Sequence, residues 1–183
     1  MKTISIGNTG PTPLGDLWVA ASENGLVAVE FPSNQTDFSA WLQKEHTARI
    51  EFAPEAVRDA LTQLREYAAG QRKEFNLPID WSVLSEFQRK ALRATFDIPY
   101  GETRTYKEIA GQIGAPRGAR AVGRAEATNP MPVVLPCHRV VGADRKLHGY
   151  GAGAGLETKT WLLKLVLKRR LVRILSVTHL QPI

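Results

Sequence analysis

Apolar positions recur with two different periods along this chain. Leu14 to Ala21 and Leu26 to Phe31 are dense in Leu, Val, Ala and aromatic residues. Glu23-Asn24-Gly25 between them is a turn signal, so a pair of strands is expected. From Glu55 to Ala69 the spacing changes: Val57, Leu61, Leu64 and then Tyr67 or Ala68 fall three to four apart, as on a helix with one buried stripe. Gly70 is placed to end that helix. Residues 71–84 read as a connector with a short extended piece around Phe75 to Ile79, and a boundary is expected near Ser85.

Beyond Ser85 the helical period takes over. Ser85-Glu86-Phe87-Gln88 fits a capping box, with Phe87, Ala91, Leu92 and Ala94 on the face to be buried. Pro99-Tyr100-Gly101-Glu102 reads as a turn. Thr105-Tyr106-Lys107-Glu108 is a second capping box, opening a short helix with Ile109, Ala110 and Ile113 inward. Gly114-Ala115-Pro116 breaks it, and Arg117 to Thr128 reads as another helix. Two short helices across a tight turn form a helix-turn-helix pattern. Arg120 and Arg124, four apart, share a face near Arg117. The small residues Ala119, Ala121, Gly123 and Ala125 permit close approach to a nucleic-acid groove. Surface arginines are common, so this pattern alone leaves a simple packed hairpin as the competing reading.

Composition narrows the class. The 183 residues are 43% hydrophobic and 23% charged, as in soluble globular proteins, and suffice for a core without disulfides or metals. The net charge of +6 is uneven: residues 1–84 carry 7 Lys/Arg against 11 Asp/Glu, residues 85–163 carry 12 against 7, and residues 164–183 carry 5 against none. An acidic front and a basic back point the second half toward a polyanion. One cysteine excludes an intrachain disulfide and fits a reducing compartment. Met1 to Gly7 holds no apolar run of signal-peptide length, and no stretch reaches the roughly 20 apolar residues of a membrane span. A cytoplasmic protein is expected, nucleoid-associated in a bacterium or nuclear in a eukaryote, with no membrane partner. His46, His138, His148 and His179 lack ligand spacing, so neither metal nor cofactor is expected, and His46, His148 and His179 read as ordinary surface or loop residues.

The chemistry concentrates in Asn129-Pro130-Met131-Pro132-Val133-Val134-Leu135-Pro136-Cys137-His138-Arg139-Val140. A free thiol ionises near pH 8.5, and attack on carbon needs the thiolate. An adjacent imidazole can take the proton, and Arg139 is expected to lower the thiol pKa. On adjacency alone, a lone cysteine is more often a small buried hydrophobe.

Pro136-Cys137-His138-Arg139-Val140 resembles the active-site signature of the O6-alkylguanine-DNA alkyltransferases, the methylated-DNA–protein-cysteine methyltransferases. The likeness extends through Phe87-Gln88, Ile98-Pro99-Tyr100-Gly101-Glu102, Thr105-Tyr106, Ala119-Arg120-Ala121-Val122-Gly123, Asn129-Pro130, Gly149-Tyr150-Gly151 and Trp161-Leu162-Leu163, in order and spacing. It is strong from about Ser85 to Leu165, and weaker over Thr12-Pro13-Leu14-Gly15 and the strands that follow.

The resemblance implies an α/β (α+β) fold. A small N-terminal β-sheet and helix domain over 1–84, ribonuclease H-like in the family, would pack on a mostly helical helix-turn-helix domain over 85–165. A basic tail of unknown role, 166–183, would follow. It implies a suicide methyltransferase, in which Cys137 takes the alkyl group from O6-alkylguanine in one irreversible turnover; O4-alkylthymine is left open. His138 would act as base through a water, and Tyr106 would contact the flipped guanine and help neutralise it. Arg120 would be the finger filling the stack. Arg117, Arg124, Ala121 and Gly123 would lie against DNA. Asn129 would be the hinge at the pocket, and Val140, Gly149, Tyr150 and Gly151 would hold the base edge. The partner implied is double-stranded DNA carrying the lesion, entered through the minor groove without sequence specificity by a monomer.

One departure matters. In the family a glutamate five residues after the tryptophan orients the histidine; here that position is Val166, with no acidic residue after it. A carboxylate on imidazole fixes its tautomer and stabilises the imidazolium, so its loss predicts a slower nucleophile. Glu157, nine residues earlier and roughly 13 Å along a helix, is a poor substitute. Slow transfer, lesion binding with little or no transfer, and rescue by another group are the outcomes this leaves. A general thiol hydrolase, a third class, would need an oxyanion hole that no motif supplies. For the tail, with Lys168, Arg169, Arg170 and Arg173, an altered C-terminus without a role ranks ahead of a helix extension on DNA or a membrane-surface segment.

Overall fold

The structure, a computed structural model, describes residues 2–31 and 34–167. Four strands come first: β1 (Lys2–Asn8), β2 (Trp18–Ser22), β3 (Gly25–Glu30) and β4 (Ala48–Phe52). They form one sheet in the order β3-β2-β1-β4, antiparallel except for β1 with β4, which run parallel. A parallel neighbour needs a crossover, and α1 (Gln35–Glu45) supplies it. Phe38 and Leu42 of α1 cover one sheet face, against Ile4, Ile6, Trp18 and Ala28.

The opposite face packs on α2 (Arg58–Ala68) through Val19, Leu26 and Val29 against Leu61, Leu64 and Tyr67. Gly70 ends α2 in the left-handed conformation (φ +72°), which a glycine adopts without strain. The same core continues into the second half through Leu92, Met131, Leu135, Leu162 and Val166. Burying each such side chain contributes about 1.5–3 kcal/mol. Backbone pairing reinforces the seam, where Val29 N donates to Pro130 O at 2.9 Å.

The second half is built of α3 (Glu86–Phe96), α4 (Tyr106–Gln112), α5 (Ala119–Ala127) and α6 (Leu156–Leu167). Two short parallel strands, β5 (Arg104–Thr105) and β6 (Val140–Val141), join the start of α4 to the segment after Cys137. α4 and α5 form the helix-turn-helix, backed by α3 through Ala91, Ala94, Ile109 and Val122. No helix among the described residues is long and apolar enough to cross a membrane.

The α+β architecture agrees with the sequence pattern, and several details differ. The strand expected from Leu14 starts only at Trp18, because Thr12 and Gly15 close a turn (Thr12 Oγ1 to Gly15 O, 2.6 Å). β1, α1 and β4 were not apparent: α1 buries only Phe38 and Leu42, too few for a clear stripe. The Ser85 box is half formed. Ser85 Oγ accepts from Gln88 N at 3.4 Å, but the Gln88 amide donates to Thr128 O at 2.9 Å and ties α3 to the end of α5. Phe87 is 37% exposed, not buried. The Thr105–Glu108 box is complete. Arg117 precedes α5, which begins at Ala119 behind Gly118. Beyond Val166 and Leu167, the tail expected over 166–183, with His179, lies outside the described residues.

Candidate active site

Cys137 opens a single 3₁₀ turn, Cys137–Arg139, between Pro136 and β6. The preceding loop is tight. Leu135 N donates to Met131 O at 2.9 Å, and Val133 takes a positive φ of 75°. That conformation is strained for a β-branched residue and persists only where its surroundings enforce it. Asn129 is the clamp: Oδ1 accepts from Met131 N at 2.9 Å, while Nδ2 donates to Leu135 O at 2.9 Å and to Cys137 Sγ at 3.2 Å. One amide thus holds both ends of the loop and the sulfur.

The thiol is 4% exposed and lies on the wall of a cavity of about 580 Å³ between α5 and the 148–151 loop. Burial pushes its pKa up to about 12, with the carboxyl of Glu126 adding to the rise; the Asn129 bond and the Lys159 ammonium pull the other way. The expected help from Arg139 is absent, because that guanidinium points elsewhere. It donates to Ile98 O at 2.8 Å and to the Tyr67 hydroxyl at 3.4 Å, and lies over the Tyr100 ring. The cation acting on the sulfur is Lys159.

His138 is fully buried. Its Nε2 lies 3.2 Å from the Tyr67 hydroxyl, and its Nδ1 has no partner among the described residues. Burial first, then the charges of Arg139 and Lys159, hold its pKa well below the usual imidazole range. No hydrogen bond joins His138 to Cys137: one side chain turns to Tyr67, the other to Asn129. Val166 is 3% exposed within the apolar core, and Glu157 is exposed at the start of α6.

The remaining expected site residues divide into two groups. Tyr106, Arg120, Gly123, Gly149, Tyr150 and Gly151 line the cavity with Cys137. Gly123 faces the Tyr106 ring, and a Cβ there would meet it at 3.8 Å, an ordinary van der Waals contact. Burial pushes the Tyr106 hydroxyl up to about 12, so it stays protonated at neutral pH. The Tyr150 hydroxyl is buried beside the thiol without a hydrogen bond of ordinary geometry. Arg117, Ala121 and Arg124 are exposed outside the cavity wall. Asn129 and Val140 are not on that wall either. Asn129 acts on the sulfur from behind, and the Val140 carbonyl accepts from Lys159 Nζ at 2.8 Å.

Four residues escaped the sequence reading. Lys159 is 1% exposed and also donates to His148 O at 3.2 Å and Gly149 O at 3.4 Å, tying the loop to β6. Its signal was a lysine at helical spacing from Leu162, Leu163 and Val166, on the face of α6 turned to the core. Glu126, 6% exposed, shares the buried face of α5 with Val122 and Ala125. It accepts from Thr95 Oγ1 at 2.6 Å, its Oε2 has no partner among the described residues, and burial raises its pKa to about 7. His148, which by sequence has no ligand spacing and reads as an ordinary loop residue, lines the cavity and pairs with Asp144 at 3.1 Å. Tyr67 fits the apolar stripe of α2, which marks it only as core.

Comparison with known proteins fits this geometry. The DNA-binding domain of 6-O-methylguanine DNA methyltransferase matches residues 86–165, and the ribonuclease-like domain matches residues 8–81. The chain belongs to the 6-O-methylguanine DNA methyltransferase family. The constitutive methylated-DNA–protein-cysteine methyltransferase of Bacillus subtilis is 39% identical over 157 residues, covering 86% of this chain and 92% of its own. The methylated-DNA–protein-cysteine methyltransferase of Mycobacterium bovis is 48% identical over 156 residues, covering 84% and 87%. The crystal structure of Mycobacterium tuberculosis OGT in complex with DNA aligns with a TM-score of 0.72 at 36% identity, covering 91% of this chain and 94% of that one. Within this member of the family, Cys137 is the sole cysteine.

Proposed function

We propose that this protein repairs alkylated DNA by moving the alkyl group from O6-alkylguanine onto its own Cys137, once and irreversibly. The observation that carries the reading is the placement of the sole thiol on the wall of the cavity beside α5, the second helix of the helix-turn-helix. Sγ attacks the alkyl carbon as the carbon–O6 bond breaks. The bonding pair leaves with guanine, and the thiol proton ends on the base. A thioether remains, and without a second thiol nothing resolves it.

The lesion lies inside a duplex, so the nucleotide has to be flipped out at a cost of a few kcal/mol. Arg120, exposed on α5 and reaching the cavity, is assigned to the vacated stack. Arg117 and Arg124 are assigned to phosphates, with Ala121 and Gly123 allowing close approach in the minor groove. Phosphate contacts carry no sequence information, which suits damage that arises anywhere. Gly149, Tyr150, Gly151 and the backbone around Val140 receive the base, and Tyr106, still protonated, neutralises it as it departs. His138 is assigned as base through a water, and Asn129 as hinge and support of the sulfur. The protein acts as a cytoplasmic monomer.

Burial holds the thiol well above its ordinary pKa, so little of it is thiolate at neutral pH and slow transfer is expected. Stoichiometry is the test: with excess O6-methylguanine duplex, repaired lesions level off at one per protein. Continued turnover would refute the reading.

A further inference from the structure

His138 has one satisfied ring nitrogen and one orphan. Nε2 meets the Tyr67 hydroxyl at 3.2 Å; Nδ1 meets no partner among the described residues. Tyr67 belongs to α2, 71 positions earlier in the chain, so this contact links the N-terminal layer to the active-site turn. Arg139 occupies one side of the Tyr67 oxygen. Its Nη2 donates to that oxygen at 3.4 Å, while Nη1 donates to Ile98 O at 2.8 Å. The guanidinium takes one of the two lone pairs of the phenol oxygen, and the other is left to accept from Nε2–H. Nδ1, the nitrogen without a partner among the described residues, is then unprotonated and free to take a proton through a water.

We propose that Tyr67 is the positioning residue of His138, setting the orientation and tautomer of the ring with a phenol where Val166 supplies no carboxylate. The inference rests on the alkyl-transfer reading, in which His138 serves the thiol. The partner of a functional imidazole's second nitrogen holds the ring in place. Tyr67 is well built for this. It is fully buried, its ring is stacked on Phe75 at 5.0 Å and set edge-on to Tyr100 at 6.3 Å, and its hydroxyl is braced by Arg139. A phenol differs from a carboxylate in one respect. It brings no negative charge to stabilise a protonated imidazole, and the Arg139 cation beside it opposes one. Tyr67 therefore supplies orientation without supplying basicity.

Tyr67→Phe separates the roles, because the ring and its aromatic packing remain and only the hydroxyl goes. Nitrogen-15 NMR of wild-type His138 at neutral pH is expected to show a protonated, hydrogen-bonded Nε2 and an unprotonated Nδ1. In Tyr67→Phe the Nε2–H loses its acceptor, and the ring resonances should shift to those of an unbonded nitrogen or a tautomer mixture. Single-turnover methyl transfer should slow about tenfold, the weight of one lost hydrogen bond. An Nδ1-protonated ring in the wild type overturns the proposal. So does a Tyr67→Phe protein with unchanged resonances and an unchanged rate. Absence of transfer by the wild type would sink the repair reading instead, and the wild-type tautomer would still decide the role of Tyr67.

Discussion

The side-chain amide of Asn129 donates to the sulfur of Cys137 at 3.2 Å, and the same side chain bonds Met131 N and Leu135 O. A single residue therefore sets both the strained loop and the nucleophile at its end. Asn129→Ala leaves Met131 N without a partner, while Leu135 O keeps its bond from Cys137 N, and lowers the stability of the fold by about 1–3 kcal/mol. Urea unfolding reads that loss. Single-turnover transfer should slow as well, because the Asn129 bond is one of the two main influences lowering the thiol pKa. A variant as stable and as fast as the wild type would remove Asn129 from the account.

Glu126 gives a pH dependence with a definite sign. Its folded pKa is raised from 4.5 to about 7 by burial. Between those values the native state holds a proton that the unfolded chain releases. Stability therefore falls as pH rises through about 4.5 to 7 and levels off above, by at most about 3 kcal/mol. Glu126→Gln, which keeps an acceptor for Thr95, should flatten this slope and be more stable than the wild type at pH 8. Thermal unfolding across that range decides it; an identical slope in the variant excludes Glu126 as the source.

The same charge also bears on reactivity. Removing it takes away a repulsion that raises the Cys137 pKa, so Glu126→Gln should transfer methyl faster than the wild type at pH 8. An equal or slower rate in a stopped-flow single turnover would mean that Glu126 does not govern thiol ionisation.

Arg120→Ala should reduce repair of O6-methylguanine by tenfold or more while weakening binding to undamaged duplex only slightly, as expected for loss of one phosphate-range charge. Comparing repair rates with binding titrations at fixed salt separates the two. Equal losses in both would make Arg120 an ordinary phosphate contact.

Much of the second half was legible because its signals are local. The Thr105–Glu108 box and the Gly114-Ala115-Pro116 break declare themselves within a few residues, and Pro136 to Val140 does so by its resemblance to a family signature. What stayed hidden depends on contacts between distant segments. β4 is short and partly exposed, and only pairing with β1 makes it a strand. Gln88 looked like a cap but bonds Thr128, forty residues away. Arg139 looked like the cation for the thiol from its position, yet it turns to Ile98 and Tyr67 and leaves that role to Lys159. Tyr67 fitted a core stripe, and nothing in that stripe reveals that its hydroxyl reaches His138.

Intact-protein mass after incubation with a duplex carrying one O6-methylguanine, followed by peptide mapping, tests the central claim most directly. The account predicts a gain of one methyl group, mapped to Cys137 and absent from Cys137→Ala. An unmodified Cys137 alongside tight binding of the lesion, or a methyl group on any other residue, would contradict it.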